Sequence, residues 1–224
     1  MTTTYFTDSF AGKTLNSNHW APGFPGDPSG FVGWPGSYDV WKNESVQVSD
    51  RLLLHLAQGA ANGKNAAGIV TSYQKFHAHG GWIQAQIAFP PGNGIWPAFW
   101  LLPASYVGSG RIQNWEIDLE YLGNGDAVYY TLHKGGDQVA QWIVHNPQLS
   151  LAHDYTFNWA PGKFLKFYFD GHLVGHTANQ SMIPNEPMFM LLNINTGGWN
   201  NNAVDGSTPK VATMICNYVA VLSN

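Results

Sequence analysis

Apolar and polar residues alternate one by one over short stretches, and clusters of Gly, Pro, Asn or Asp interrupt them every ten residues or so. That period of two is the signature of half-buried strands, and its brevity restricts the chain to an all-β design. Gly81 to Phe89 sets Ile83, Ala85, Ile87 and Phe89 against Trp82, Gln84, Gln86 and Ala88, and Pro90-Pro91-Gly92 then ends the run. Phe164 to Phe169, followed by Asp170-Gly171 and His172 to Val174, reads as a hairpin on a two-residue turn. Further strands are expected at Tyr38–Val48, Arg51–Ala57, Ile69–Ser72, Ile95–Leu102, Trp115–Tyr121, Ala127–His133, Ala140–Val144, Asp154–Trp159, Met188–Asn195 and Val211–Leu222. About a dozen strands imply two packed sheets, and no stretch shows a helical period. Trp20 to Gly36, rich in Gly and Pro and carrying Phe24, Phe31 and Trp34, is a long loop of the kind that often serves function.

The 224 residues fit one undivided β domain spanning 1–224, with neither an internal repeat nor a composition shift to divide it. Charged residues make up only 11% while aromatics reach 14%, so the surface relies on neutral polar groups. A formal charge of −4 without a Lys/Arg cluster offers no footprint for nucleic acid. No apolar run approaches the roughly 18 residues of a membrane span, and the N-terminus lacks the basic start and apolar stretch of a secretory signal. Cys216 is the single cysteine and lies in an apolar run, which makes it a buried, inert thiol. The chain is expected to act as a monomer.

Trp115-Glu116-Ile117-Asp118-Leu119-Glu120-Tyr121 places four apolar side chains on one face of a strand and three acids on the other. The apolar face is core; the acidic face cannot be, and a merely solubilising, solvent-facing strand is the bland alternative. Like charges in line are costly unless some keep their protons. With only 14 acids in the whole chain, three within five residues exceed what general solubility requires. Glycoside hydrolysis uses such a set: one carboxylate as nucleophile or base, and a second carboxyl with raised pKa to protonate the leaving oxygen. Along an extended strand the Cα atoms of Glu116 and Glu120 stand about 13 Å apart, so reaching the roughly 5 to 5.5 Å of a retaining pair requires the side chains to converge.

Trp115 to Gly123, WEIDLEYLG, resembles the catalytic strand of glycoside hydrolase family 16. Similar stretches are GGWIQAQIAFPPGNGIWPAFWLLP (Gly80 to Pro103), TLHKGG (Thr131 to Gly136), HDYTFNWAPGKFLKFYFDGHLV (His153 to Val174), PMFMLLNINTGG (Pro187 to Gly198) and NYVAVL (Asn217 to Leu222), in order over nearly the whole chain. The resemblance implies a jelly-roll β-sandwich of two curved antiparallel sheets, with a substrate cleft on the concave one. It implies double-displacement hydrolysis of a β-linked polysaccharide, a β-1,3- or mixed-linkage glucan first. Glu116 becomes the nucleophile, Glu120 the general acid/base and Asp118 the residue assisting the nucleophile. The regular E-x-D-x-E spacing is that of lichenases and xyloglucan transglycosylases, whereas WPAFWLLP is laminarinase-like. A non-catalytic lectin-like module and a transglycosylase are the alternatives.

A polymeric substrate places the protein outside the cell or in the periplasm. Aromatic platforms and neutral donors suit sugars. By motif match Trp100 lies in the cleft and His133 faces it; Trp199 after Gly197-Gly198 is a cleft-loop aromatic, and Asn193 and Asn195 share a strand face. Trp96 is expected in the core or on the rim, and Trp115 in the core. Gln84 and Gln86 stand where relatives carry Glu and Arg, which would remove two charges from the cleft wall and favour an unusual glycan. Relatives that hold calcium use an Asp where this chain has Asn217, a weak ligand for a hard cation. His172 and His176 have the spacing of helical metal ligands but lie on or beside a hairpin strand. No metal and no cofactor are expected.

Overall fold

A computed structural model describes residues 2–25, 38–105, 115–146 and 148–224. The strands are β1 (Thr4–Asp8), β2 (Ala21–Pro22), β3 (Asp39–Trp41), β4 (Val46–Val48), β5 (Leu52–Ala61), β6 (Lys64–Ala67), β7 (Ile69–Thr71), β8 (Gly81–Ala88) and β9 (Ile95–Pro103). They continue as β10 (Trp115–Tyr121), β11 (Ala127–Lys134), β12 (Asp137–His145), β13 (His153–Ala160), β14 (Phe164–Phe169), β15 (His172–Thr177), β16 (Met188–Thr196) and β17 (Val211–Leu222). The only helical turns among the described residues are two short 3₁₀ segments, Asn43–Ser45 and Gln180–Met182.

One sheet runs β15-β14-β13-β8-β17-β5-β6-β3, with β1 added on β17 and β4 on β5. The other runs β12-β11-β10-β9-β16-β7-β2. The inward residues of each strand meet between the sheets: Phe99 and Ile117 from one side, Ile83 and Phe157 from the other, all fully buried. Phe99 stacks on Phe157 at 5.4 Å and Tyr130 meets Phe167 at 5.2 Å, so aromatic pairs join the layers. Trp115 and Cys216 are buried as expected, and burial pushes the Cys216 thiol far up, which keeps it from acting as a nucleophile. This is a jelly-roll β-sandwich.

The hairpin at Asp170-Gly171 forms where its sequence places it, with both residues at positive φ (46° and 75°). Elsewhere the chain is more broken than its alternation implies. Tyr38–Val48 is not one strand: Asn43–Ser45 makes a 3₁₀ turn between β3 and β4. The strand expected to end at Ala57 continues to Ala61 and returns as β6 through Asn62-Gly63, a second two-residue turn at positive φ (54° and 84°). In the long loop, Ala21–Pro22 pairs with β7, while Phe31 and Trp34 lie outside the described residues.

A larger correction concerns Gln84 and Gln86. Strand β8 belongs to the ten-stranded sheet, opposite the one that carries the acids, and its alternation turns these glutamines away from the core. Gln84 donates to Thr156, and Gln86 donates to Asp154 and accepts from Asn217, all within that outer face. Among the described residues they take no part in the acidic face, so they remove no charge from it and give no reason to expect an unusual glycan. Alternation assigns a side chain to a face but does not say which sheet the strand joins.

Candidate active site

Strand β10 lies inside the seven-stranded sheet, between β9 and β11, in an unbroken antiparallel register. Glu116 faces His133, Asp118 lies between Trp100 and Thr131, and Glu120 lies between Ala98 and Tyr129. Because no residue is inserted, the E-x-D-x-E period keeps all three acids on one face. On the next strand, Asn193 pairs with Ala98 and Asn195 with Trp96. One small cavity of about 70 Å³ is lined by Trp96, Ala98, Trp100, the three acids and the two asparagines.

The acidic face is far drier than a solvated strand. Asp118 is 4% exposed and Glu120 8%, against 0% for Ile117 and Leu119 behind them. Neighbouring side chains pack around Asp118 and Glu120, while Glu116 is half-buried. Glu120 Oε1 accepts from the indole N–H of Trp96 at 2.9 Å and from that of Trp199 at 3.4 Å. His133 Nε2 stands 3.2 Å from Asp118 Oδ2, while Asp118 Oδ1 is buried and has no hydrogen-bond partner among the described residues.

Burial raises all three acids. Glu116 is held well above the ordinary glutamate range by desolvation and then by the Asp118 charge, with Glu120 adding and His133 opposing. Asp118 is raised well above its usual range by desolvation and by Glu120, its contact with Glu116 working the other way. Glu120 is raised by desolvation and drawn back by the indole donors of Trp96 and Trp199. A set so crowded gives up its protons in shared steps, and it keeps one at a pH where isolated carboxyls have none. Crowding and burial thus favour a proton held among the three acids, the pairing of acid and carboxylate that glycoside hydrolysis uses.

The residues singled out from sequence come together here with different parts. Trp100 lines the cavity, but it is 5% exposed and Phe24 stacks against it at 6.2 Å, so it forms a wall and not an open platform. Its indole N–H donates to Asn193 Oδ1 at 2.6 Å, and Asn193 in turn donates to Asn195 Oδ1 at 2.7 Å. Trp199 packs edge-on against Tyr129 at 4.6 Å. Trp96, expected in the core or on the rim, is half-buried at the cavity and is also a direct partner of Glu120.

Asn202, unmarked by any sequence pattern, is fully buried. Its amide donates to the carbonyls of Ile95 (2.9 Å) and Gly197 (2.7 Å), and its Oδ1 accepts from the Gly94 N–H at 2.8 Å. One side chain thus ties the turn before β9 to the loop after β16, the two segments that deliver Trp96 and Trp199. Gly198 (φ 110°) lies in that loop, where a Cβ would come within 3.1 Å of the Trp96 ring.

The family model of glycosyl hydrolases family 16 matches residues 36–216. Over 259 aligned residues the chain is 27% identical to glucan endo-1,3-beta-glucosidase A1 of Niallia circulans, covering 96% of this chain and 37% of that protein. It is 28% identical over 212 residues to keratan-sulfate endo-1,4-beta-galactosidase of Sphingobacterium multivorum, covering 86% of this chain and 49% of that protein. The chain spans 32%, 37% and 32% of the first three curated relatives. The catalytic domain of an endo-1,3-beta-glucanase (laminarinase) from Thermotoga petrophila RKU-1 superposes with a TM-score of 0.86 at 23% identity, covering 100% of this chain and 98% of that one, and shares the fold.

Proposed function

Since the chain belongs to glycosyl hydrolases family 16, we propose that it is a retaining endo-glycoside hydrolase that cleaves a β-linked polysaccharide by double displacement. Glu116 attacks the anomeric carbon and forms a glycosyl–enzyme ester, while Glu120 gives its proton to the departing glycosidic oxygen. Glu120 then takes a proton from water as that water attacks the ester, which returns Glu116 as carboxylate and leaves the starting anomeric configuration. Asp118, against Glu116 and His133, shares the proton that Glu116 must shed to react.

One observation carries this reading: two glutamates and an aspartate of a single unbroken strand open into one cavity, with the last glutamate held by two indole donors. Cavity walls of indole, amide and carboxyl groups, with no Lys or Arg among the described lining residues, favour a neutral glycan over a sulfated one. A β-1,3-glucan or a mixed-linkage β-1,3-1,4-glucan is the substrate proposed, met outside the cell or in the periplasm. The test is release of reducing ends from a panel of β-1,3-glucan, mixed-linkage glucan and galactan, comparing the wild-type chain with Glu116→Gln and Glu120→Gln. Turnover of a neutral glucan that both substitutions abolish supports the assignment. Undiminished turnover in Glu116→Gln refutes it.

A further inference from the structure

The structure assigns a positioning role to Asp39: its buried carboxylate reaches from the edge of the ten-stranded sheet to Thr196, and so holds the two segments that bring the Trp96 and Trp199 indoles onto Glu120. Asp39 opens β3, the edge strand of that sheet, and is fully buried. Thr196 closes β16 in the sheet that carries the acids. Its backbone N–H donates to Asp39 Oδ2 at 2.7 Å and its hydroxyl to Asp39 Oδ1 at 2.9 Å.

The ladder of β16 explains why a carboxylate is used here. Alternate N–H groups of a strand point to the same side. The Met190 N–H donates to Ser72 Oγ and the Ile194 N–H to the Gly68 carbonyl, on the side where β7 runs. Ahead of Gly68 the chain belongs to β6 of the other sheet, so β7 offers nothing to the next such N–H, that of Thr196, and Asp39 takes the place of a strand. Asn65, opposite Asp39 on β6, completes the cluster. Its amide donates to Asp39 Oδ1 at 3.0 Å and to Thr196 Oγ1 at 3.1 Å, while its own oxygen accepts from the Gly59 N–H at 3.1 Å. Both oxygens of Asp39 accept hydrogen bonds, which a carboxylate can do and an amide cannot.

Thr196 stands where both cleft segments begin. It pairs with Ile95 on β9, and the adjoining pair is Asn195 with Trp96. Gly197 and Gly198, both at positive φ, follow it and lead to Trp199. The indoles of these two tryptophans are the donors on Glu120 Oε1. Asn202 ties the two segments to each other, and Asp39 ties them to the opposite sheet. The titratable groups around Glu120 are Glu116 and Asp118 on its own strand and Tyr129 and His133 on β11; β9 and β16 bring Trp96, Trp100, Asn193 and Asn195 to the cavity, and none of these titrates.

The test is read on the indole N–H signals of Trp96 and Trp199 in the proton–nitrogen NMR spectrum of the intact chain, identified by their loss in Trp96→Phe and Trp199→Phe. Asp39→Asn and Thr196→Val should shift both signals. Those of Trp20 and Trp159, which donate to Asp8 and to the Pro184 carbonyl, should stay in place. Thr196→Ser keeps the hydroxyl and should keep the wild-type spectrum. Thr196→Val also preserves the Asp39 charge, so its kcat/KM profile isolates the indoles: with those donors displaced Glu120 holds its proton longer, the alkaline limb moves upward, and kcat falls about tenfold. This kinetic consequence alone rests on the proposed function. Should Asp39→Asn lack a wild-type melting curve, Thr196→Val carries the spectrum by itself. Unmoved Trp96 and Trp199 signals in a folded variant, or a Thr196→Ser chain as perturbed as Thr196→Val, overturns the assignment. A wild-type chain that cleaves no glycan refutes the hydrolase reading alone, since the spectrum needs no substrate, and a hydrolase whose indole signals ignore Thr196→Val refutes the positioning role alone.

Discussion

The indole N–H of Trp96 donates to Oε1 of Glu120 across neighbouring strands at 2.9 Å. Glu120 is the residue assigned to carry a proton, and a donor on its carboxylate favours the charged form, opposing the burial that raises it. Trp96→Phe keeps an aromatic ring and removes the donor. Glu120 should then hold its proton to higher pH, so the alkaline limb of the kcat/KM profile moves upward. An unmoved limb would detach Trp96 from the acid.

Asn202 connects the two cleft segments through three buried hydrogen bonds. Asn202→Ala leaves the Gly94 N–H and the Ile95 and Gly197 carbonyls to find other partners, at a cost of about 1 to 3 kcal/mol of stability. Releasing the loop should also lower kcat, because Trp199 loses its place over Glu120. Urea titration reads the first effect and steady-state kinetics the second.

The raised carboxyls also predict how stability varies with pH. Their folded pKa values lie above the unfolded ones, so between the two the folded chain binds more protons and its stability falls as pH rises. Wild-type stability should therefore decline from the ordinary carboxylate range toward neutral pH. Glu116→Gln, which carries no charge to confine, should flatten that decline and raise the melting temperature at neutral pH. A variant melting below wild type there would contradict the electrostatic account.

Gln84 and Gln86 lie on the outer face of the opposite sheet. Gln84→Ala and Gln86→Ala should leave kcat/KM on a soluble polysaccharide within about twofold of wild type, as substitutions away from the site do. A large loss would return these residues to the cleft.

Much of this was legible in the chain because strand chemistry is local. The Asp170-Gly171 turn and the whole of β10, Trp115 to Tyr121, follow from turn preference and period-two alternation alone. The Asn62-Gly63 turn carried an equally strong signal, but the weak alternation after Ala57 hid the strands it joins. Trp96 and Asn202 were not legible, for a different reason. Each acts on a partner distant in sequence, Glu120 for one and the Gly94 and Gly197 turns for the other, and local period says nothing about which loops meet. The burial of Asp118 has the same origin: it lies between Trp100 of β9 and Thr131 of β11, strands that the motif does not contain.

Most direct of all is the stereochemistry of the first bond broken. Proton NMR during early turnover of the preferred polysaccharide should show the new reducing end appearing as the β-anomer, with α signal growing only through mutarotation, since two displacements restore the original configuration. An α-anomer as first product would mean that Glu116 activates water instead of bonding to the sugar, and the account built on this strand would be wrong.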